Sequence, residues 1–142
     1  MDLLLPLHIF ANLVWIGSIA SIGWLLTAAS RQADPAQGRV VAELANQLYR
    51  RLATPAFVLS FVTGVGRLSM AFSVFMHAHW FHGKLTLALV IIALHHVIGA
   101  KSKRAASEGV QAGARGAILA AAVVASAFAV ALLVSLRTQL VP

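Results

Sequence analysis

The chain contains no cysteine, and only four of its 142 residues are acidic. The first absence excludes disulfides, thiolate metal sites and cysteine nucleophiles. It also rules out the C-x-x-C-H attachment of a c-type haem, so any haem would be held noncovalently. Charge of either sign is scarce, at 11% of residues against 60% hydrophobic. A soluble domain of average composition carries about 25% charged and 45–50% apolar residues. Soluble, disordered and coiled-coil classes are therefore disfavoured, and a membrane protein is expected. The formal net charge of +7 would suggest nucleic acid in a soluble chain. Here the bases lie between apolar runs and form no basic face with interleaved aromatics, so no nucleic-acid partner is expected.

Four apolar runs are long enough to cross a bilayer, which takes about 20 helical residues. They cover about 3–28, 52–75, 80–100 and 117–136. Barrel strands would be shorter and would alternate in polarity. The fold class is thus all-α, a four-helix transmembrane bundle built as a single domain over 1–142. The first run lacks a basic leader and exceeds the core of a secretory signal, so it reads as an uncleaved span. Membrane lipid is the obligatory neighbour.

Basic residues give an orientation. Arg31, Arg39, Arg50 and Arg51 lie between spans one and two; Lys101, Lys103, Arg104 and Arg115 lie between spans three and four. The opposite side has Arg67, Lys84 and Arg137. The positive-inside rule puts both termini on the outer (periplasmic) side of a multi-pass protein of the cell inner membrane. Asp34-Pro35 predicts a helix start that runs into span two, with Pro55 kinking it internally by removing one backbone hydrogen bond. Gly109, Gly113 and Gly116 predict the last loop. Ala121, Ala125 and Ala129 form a ladder of small residues suited to close packing, within the bundle or in a homo-oligomer or larger membrane complex. Gly17/Ser21 and Ser60/Gly64 repeat that spacing.

Ionisable residues inside a membrane are costly and mark function by default. The candidates are His8, Arg67, Lys84, His95 and His96, together with Asn12; His77, His79 and His82 stand at the outer rim. His8, Asn12 and Trp15 share one face of span one. Lys84 and His95, eleven residues apart, share a stripe of span three with Trp80 nearby. The result is two polar clusters, one per leaflet. Neutral imidazoles on facing helices suit haem iron, copper or zinc. Arg67 and Lys84 on the outer side, and Arg50 and Arg51 on the inner, suit haem propionates. Trp15, Trp80, Phe57 and Phe61 suit a flat macrocycle. Each feature also has a plainer explanation. His8 serves equally as a pin between helices, Asn12 as interhelical glue, Trp80 and His82 as an interfacial belt, and the cations as snorkelling or orientation charges.

Leu7-His8 with Trp15-Ile16-Gly17, then Arg50 or Arg51 with Thr54-Pro55-Ala56 and Gly64, then Trp80-Phe81-His82-Gly83-Lys84 with His95, resembles the HemJ-type protoporphyrinogen oxidases (UPF0093). More loosely, the chain is similar to the membrane domain of the copper resistance protein CopD. The HemJ resemblance covers spans one to three and is most specific in the third. It implies noncovalent haem b and removal of six electrons from protoporphyrinogen IX to give protoporphyrin IX, with a quinone-type electron acceptor. It also implies His8, His82 and His95 in the cofactor site, His8 and His95 as candidate iron ligands, and Lys84 and Arg51 in catalysis. Three alternatives stand beside it: a haem subunit that relays electrons in a larger complex, copper binding or transport through His77, His79, His82 and His95, and a structural subunit without a cofactor.

Overall fold

A computed structural model describes residues 3–136 and is helical almost throughout, with no strand among them. Arg137 of the orientation count lies outside the described residues. The order is α1 (Leu4–Ser30), α2 (Pro35–Leu48), a π-helical turn (Tyr49–Ala53), α3 (Thr54–Met70), α4 (Phe72–Met76), α5 (His79–Ser107), a 3-10 turn (Val110–Gly113) and α6 (Gly116–Ser135). Four helical stretches are long and apolar enough to cross a membrane: Leu4–Ser30, Pro35–Met70, His79–Ser107 and Val110–Ser135. Large apolar side chains cover the outside; Leu13 and Ile118 are each 69% exposed. An aqueous surface rarely tolerates so continuous an apolar coat, whereas lipid requires one.

The joints follow local chemistry. Asp34 caps α2, its carboxylate accepting the Ala36 N–H at 2.9 Å, with Pro35 at the first helical position. Such a cap satisfies one of the orphan donors of a helix start. From Pro35 to Met70 the chain is one continuous rod. At Pro55, where a kink is expected, the structure has a π-helical turn just before the proline. There the Thr54 N–H reaches the Tyr49 carbonyl, five residues back. The wider turn absorbs the hydrogen bond that proline cannot donate. The second span ends at Met70 instead of 75, where Ala71 leaves the helical region (φ −142°, ψ 40°). No glycine or proline marks that point, so the apolar run through 75 hid it. α5 runs past Ala100 to Ser107 because Lys101–Ala106 are good helix formers although polar. Gly109, at φ +148°, makes the turn after it.

α1 is the central helix. It packs against α2, α3, α5 and α6, whereas the backbones of α3 and α5 scarcely approach each other. Closest packing falls at Gly23 of α1, where an added Cβ would lie 2.5 Å from the Gly116 carbonyl oxygen and 2.8 Å from the Ala120 Cβ. Thr27 of α1 then caps α6 from outside, accepting the Ala117 N–H at 2.7 Å. The small residues that bring α1 and α6 together are thus Gly23, Gly116 and Ala120. Ala121 and Ala125, from the expected ladder, are exposed. Ser60 and Gly64 do serve close packing, both against α1.

Gly23→Val should lower the unfolding midpoint in detergent, because backbone atoms block the new side chain; overpacking of this kind costs about 1–3 kcal/mol. Gly17→Ala is the matched control, since a Cβ there meets nothing within 4 Å, and it should leave the midpoint unchanged or raised.

Candidate functional site

Two polar centres lie where α1 meets its neighbours. In the first, His8 Nδ1 lies 2.9 Å from the Ser60 carbonyl oxygen and 3.2 Å from Thr63 Oγ1. Its Nε2 lies 3.0 Å from Asn12 Nδ2. Asn12 Nδ2 also donates to the His8 carbonyl oxygen at 2.9 Å, which fixes the amide with its nitrogen toward the histidine, and Ser60 Oγ donates to Asn12 Oδ1 at 2.8 Å. A carbonyl only accepts, so the His8 proton is on Nδ1 and Nε2 keeps its lone pair. His8 therefore pins α1 to α3, and Asn12 joins the same two helices. Gly64 leaves room for the ring: a Cβ there would come within 2.9 Å of His8 Cε1. Arg67 and Lys84, both half-buried, are within electrostatic reach of His8.

The second centre is His95, 1% exposed. The Trp15 indole N–H donates to its Nδ1 at 3.2 Å, and its Nε2 lies 3.2 Å from the Tyr49 hydroxyl. Indole can only donate, so Nδ1 holds the lone pair and the Nε2–H donates to Tyr49 Oη. The ring centroids of Tyr49 and Phe57 each lie 4.8 Å from that of His95. Tyr49 fits because Gly99 faces it; a Cβ at Gly99 would run into the phenol ring. The centre thus ties α1, the π-helical turn, α3 and α5 together through side chains. Compared with known protein families, curated proteins and solved structures, the chain matches none.

The remaining candidates are distributed around these centres. Arg50 and Arg51 lie on the π-helical turn and are exposed, with no polar contact to His95. Trp80, half-buried, packs edge-on to Phe75 and Phe81 at the start of α5. His82 is exposed, with Nε2 3.0 Å from the Met76 carbonyl oxygen, and bridges α5 to α4. His77 and His79 are exposed, and His77 Nδ1 bonds back to the Ser73 carbonyl at 2.6 Å. His96 is exposed beside Phe57. Among the described residues no three His, Cys, Asp or Glu side chains converge on one point.

The residue missed at the sequence level is Tyr49, the sole tyrosine of the chain. Two signals pointed to it: a glycine one turn beyond His95, and a tyrosine just ahead of the Arg50-Arg51 pair.

A noncovalent haem can be tested against both histidines. His95 does not suit iron as it stands, because its Nε2 carries the proton and its Nδ1 is covered by Trp15. His8 suits it better. Its Nδ1–H is held by a backbone carbonyl, and its lone pair is on Nε2; a second-shell bond of this kind orients metal-binding imidazoles. The Asn12 amide, held by the His8 carbonyl and the Ser60 hydroxyl, covers that nitrogen and would have to turn aside.

Proposed function

We propose that the protein is a haem b- and porphyrin-binding oxidoreductase of the inner membrane, similar to the HemJ-type oxidases, with its termini on the periplasmic side. One observation carries the reading: His8 holds its lone pair on Nε2 and its proton against the Ser60 carbonyl, with Arg67 and Lys84 within electrostatic reach. A half-buried imidazole within electrostatic reach of two cations suits a planar, dianionic tetrapyrrole.

In this reading His8 would hold a haem iron through Nε2, with the Asn12 amide turned aside, and Arg67 and Lys84 would hold the carboxylates. Such a haem would supply one-electron transfers. The Ser60 carbonyl keeps the His8 proton on Nδ1, so the ring cannot turn over. The Trp15–His95–Tyr49 chain keeps three helices in register beneath the site. Lys84, with an ammonium that can exchange protons, is the candidate for proton transfer to or from porphyrin substrate; the electrons would leave to a quinone-type acceptor. Arg50 and Arg51, remote from His8, hold the basic end on the cytoplasmic side.

The test is an absorption spectrum of the protein purified in mild detergent, oxidised and then dithionite-reduced, with a pyridine haemochrome assay on the same sample. A stoichiometric b-type spectrum is expected; a colourless protein after expression with ample haem would overturn the reading. Rescue of a strain lacking protoporphyrinogen oxidase then separates an enzyme from an electron-relay subunit. Lys84→Met should abolish that rescue while leaving the spectrum in place.

A further inference from the structure

At the basic end of the bundle, a cavity of about 480 Å³ opens between the last turn of α2 and the last turns of α5. Its volume falls in the range of small-ligand sites, about 300–1,000 Å³. It is lined by Asn46, Tyr49, Arg50, Gly99, Ala100 and Lys103. The polar groups there are two cations, an amide and a phenol, with no carboxylate in the lining. Arg50 and Lys103 are both exposed, and among the described residues neither pairs with an acid. The chain has only four acids, and the Asp34 carboxylate is already engaged in capping α2. A small cavity with positive charge and hydrogen-bond donors, and without internal neutralisation, is built for an anion.

The level of the cavity indicates which anion. α5 has 29 residues, so it is about 43 Å long at 1.5 Å per residue, against a hydrocarbon core of about 30 Å. Its final turns, with Lys101 and Lys103, therefore stand in the headgroup layer. From the cavity an exposed stripe of α5, Ala100–His96–Ala93–Leu89, descends at helical spacing toward the membrane interior. Phosphate chemistry at the top of a lipid-facing stripe describes an amphiphile. We propose that this cavity binds the phosphate of an anionic phospholipid, with Arg50 and Lys103 as ion partners, Asn46 as hydrogen-bond donor, and the acyl chains lying along that stripe. Clustered basic residues between membrane helices on the cytoplasmic side are suited to such headgroups. The site is separate from His8 and does not depend on the haem reading.

Native mass spectrometry of the full chain in a neutral detergent tests this, with dioctanoyl phosphatidylglycerol, dioctanoyl phosphatidylcholine and inorganic phosphate as separate probes. One saturable phosphatidylglycerol adduct, preferred over phosphatidylcholine, is expected. Each cation beside a headgroup is worth about a factor of five, so Arg50→Gln with Lys103→Gln should weaken that adduct about thirtyfold. Both side chains are exposed, so the double variant should keep the circular dichroism and melting of the parent. Arg31→Gln with Arg115→Gln removes the same charge from other exposed positions and should leave the adduct intact. Equal weakening in both double variants, or no preference over phosphatidylcholine, would overturn the proposal. Displacement of the lipid by millimolar inorganic phosphate would reassign the cavity to a free phosphate and overturn the lipid assignment.

Discussion

Replacing His95 with alanine should destabilise the bundle by about 4 kcal/mol, because it empties a ring-sized volume and strands a buried donor. The donor is the Trp15 indole N–H, which has His95 Nδ1 as its partner. In an apolar surround no water replaces that acceptor, and an unsatisfied buried group costs about 1–3 kcal/mol. Tyr49 loses its donor as well, and Phe57 loses a ring contact. The measurement is unfolding in mixed micelles of mild detergent and dodecyl sulfate. Two further variants separate packing from hydrogen bonding. His95→Leu refills most of the volume but still leaves the indole stranded. Adding Trp15→Phe to it removes the stranded donor and should recover about 1–3 kcal/mol. If His95→Ala shifted stability by less than about 1 kcal/mol, below the cost of even one stranded donor, His95 would not be the tie between these helices.

On the proposed haem reading, His8→Ala should give a folded protein without haem, where His95→Leu keeps the pigment. The contrast comes from the two tautomers. His8 offers iron a free electron pair once the Asn12 amide moves; His95 would have to shift its proton and give up Trp15. Asn12→Ala, which removes the group covering His8 Nε2, should retain haem or take it up more completely. Spectra of the three variants, normalised to protein by amino-acid analysis, make the comparison, with circular dichroism to confirm that each is helical. Full haem in His8→Ala would refute the assignment, as would pigment loss in a folded His95→Leu protein.

Much of the fold was readable from residues. The four spans were legible because only long apolar runs satisfy a helix in lipid. The start of α2 was legible because Asp34-Pro35 carries its own capping chemistry. The grouping of His8 with Asn12 came from helical spacing alone. Other features were hidden for physical reasons. The end of α3 at Met70 has no breaker, so hydropathy ran through it. The partner of His95 is a tyrosine 46 positions away, and only tertiary packing against Gly99 brings it there. Which alanines of α6 face inward depends on where Gly23 lies on another helix, and no property of α6 alone encodes that.

The five residues from Tyr49 to Ala53 have a consequence for the geometry of the whole rod. A helix advances its faces by about 100° per residue. A π-helical turn adds one residue without adding a turn, so the faces of α2 and α3 are offset by about that angle. Ala42 and Ser60, like Ala45 and Thr63, are eighteen residues apart, five whole turns of an ordinary helix; the extra residue instead sets the buried face of α3 about 100° round the rod from that of α2. The turn works as a phase-shifter. Deleting one of its five residues would give an ordinary helix with the two faces at the same angle, so the Asp34 corner and the His8 contact should both survive.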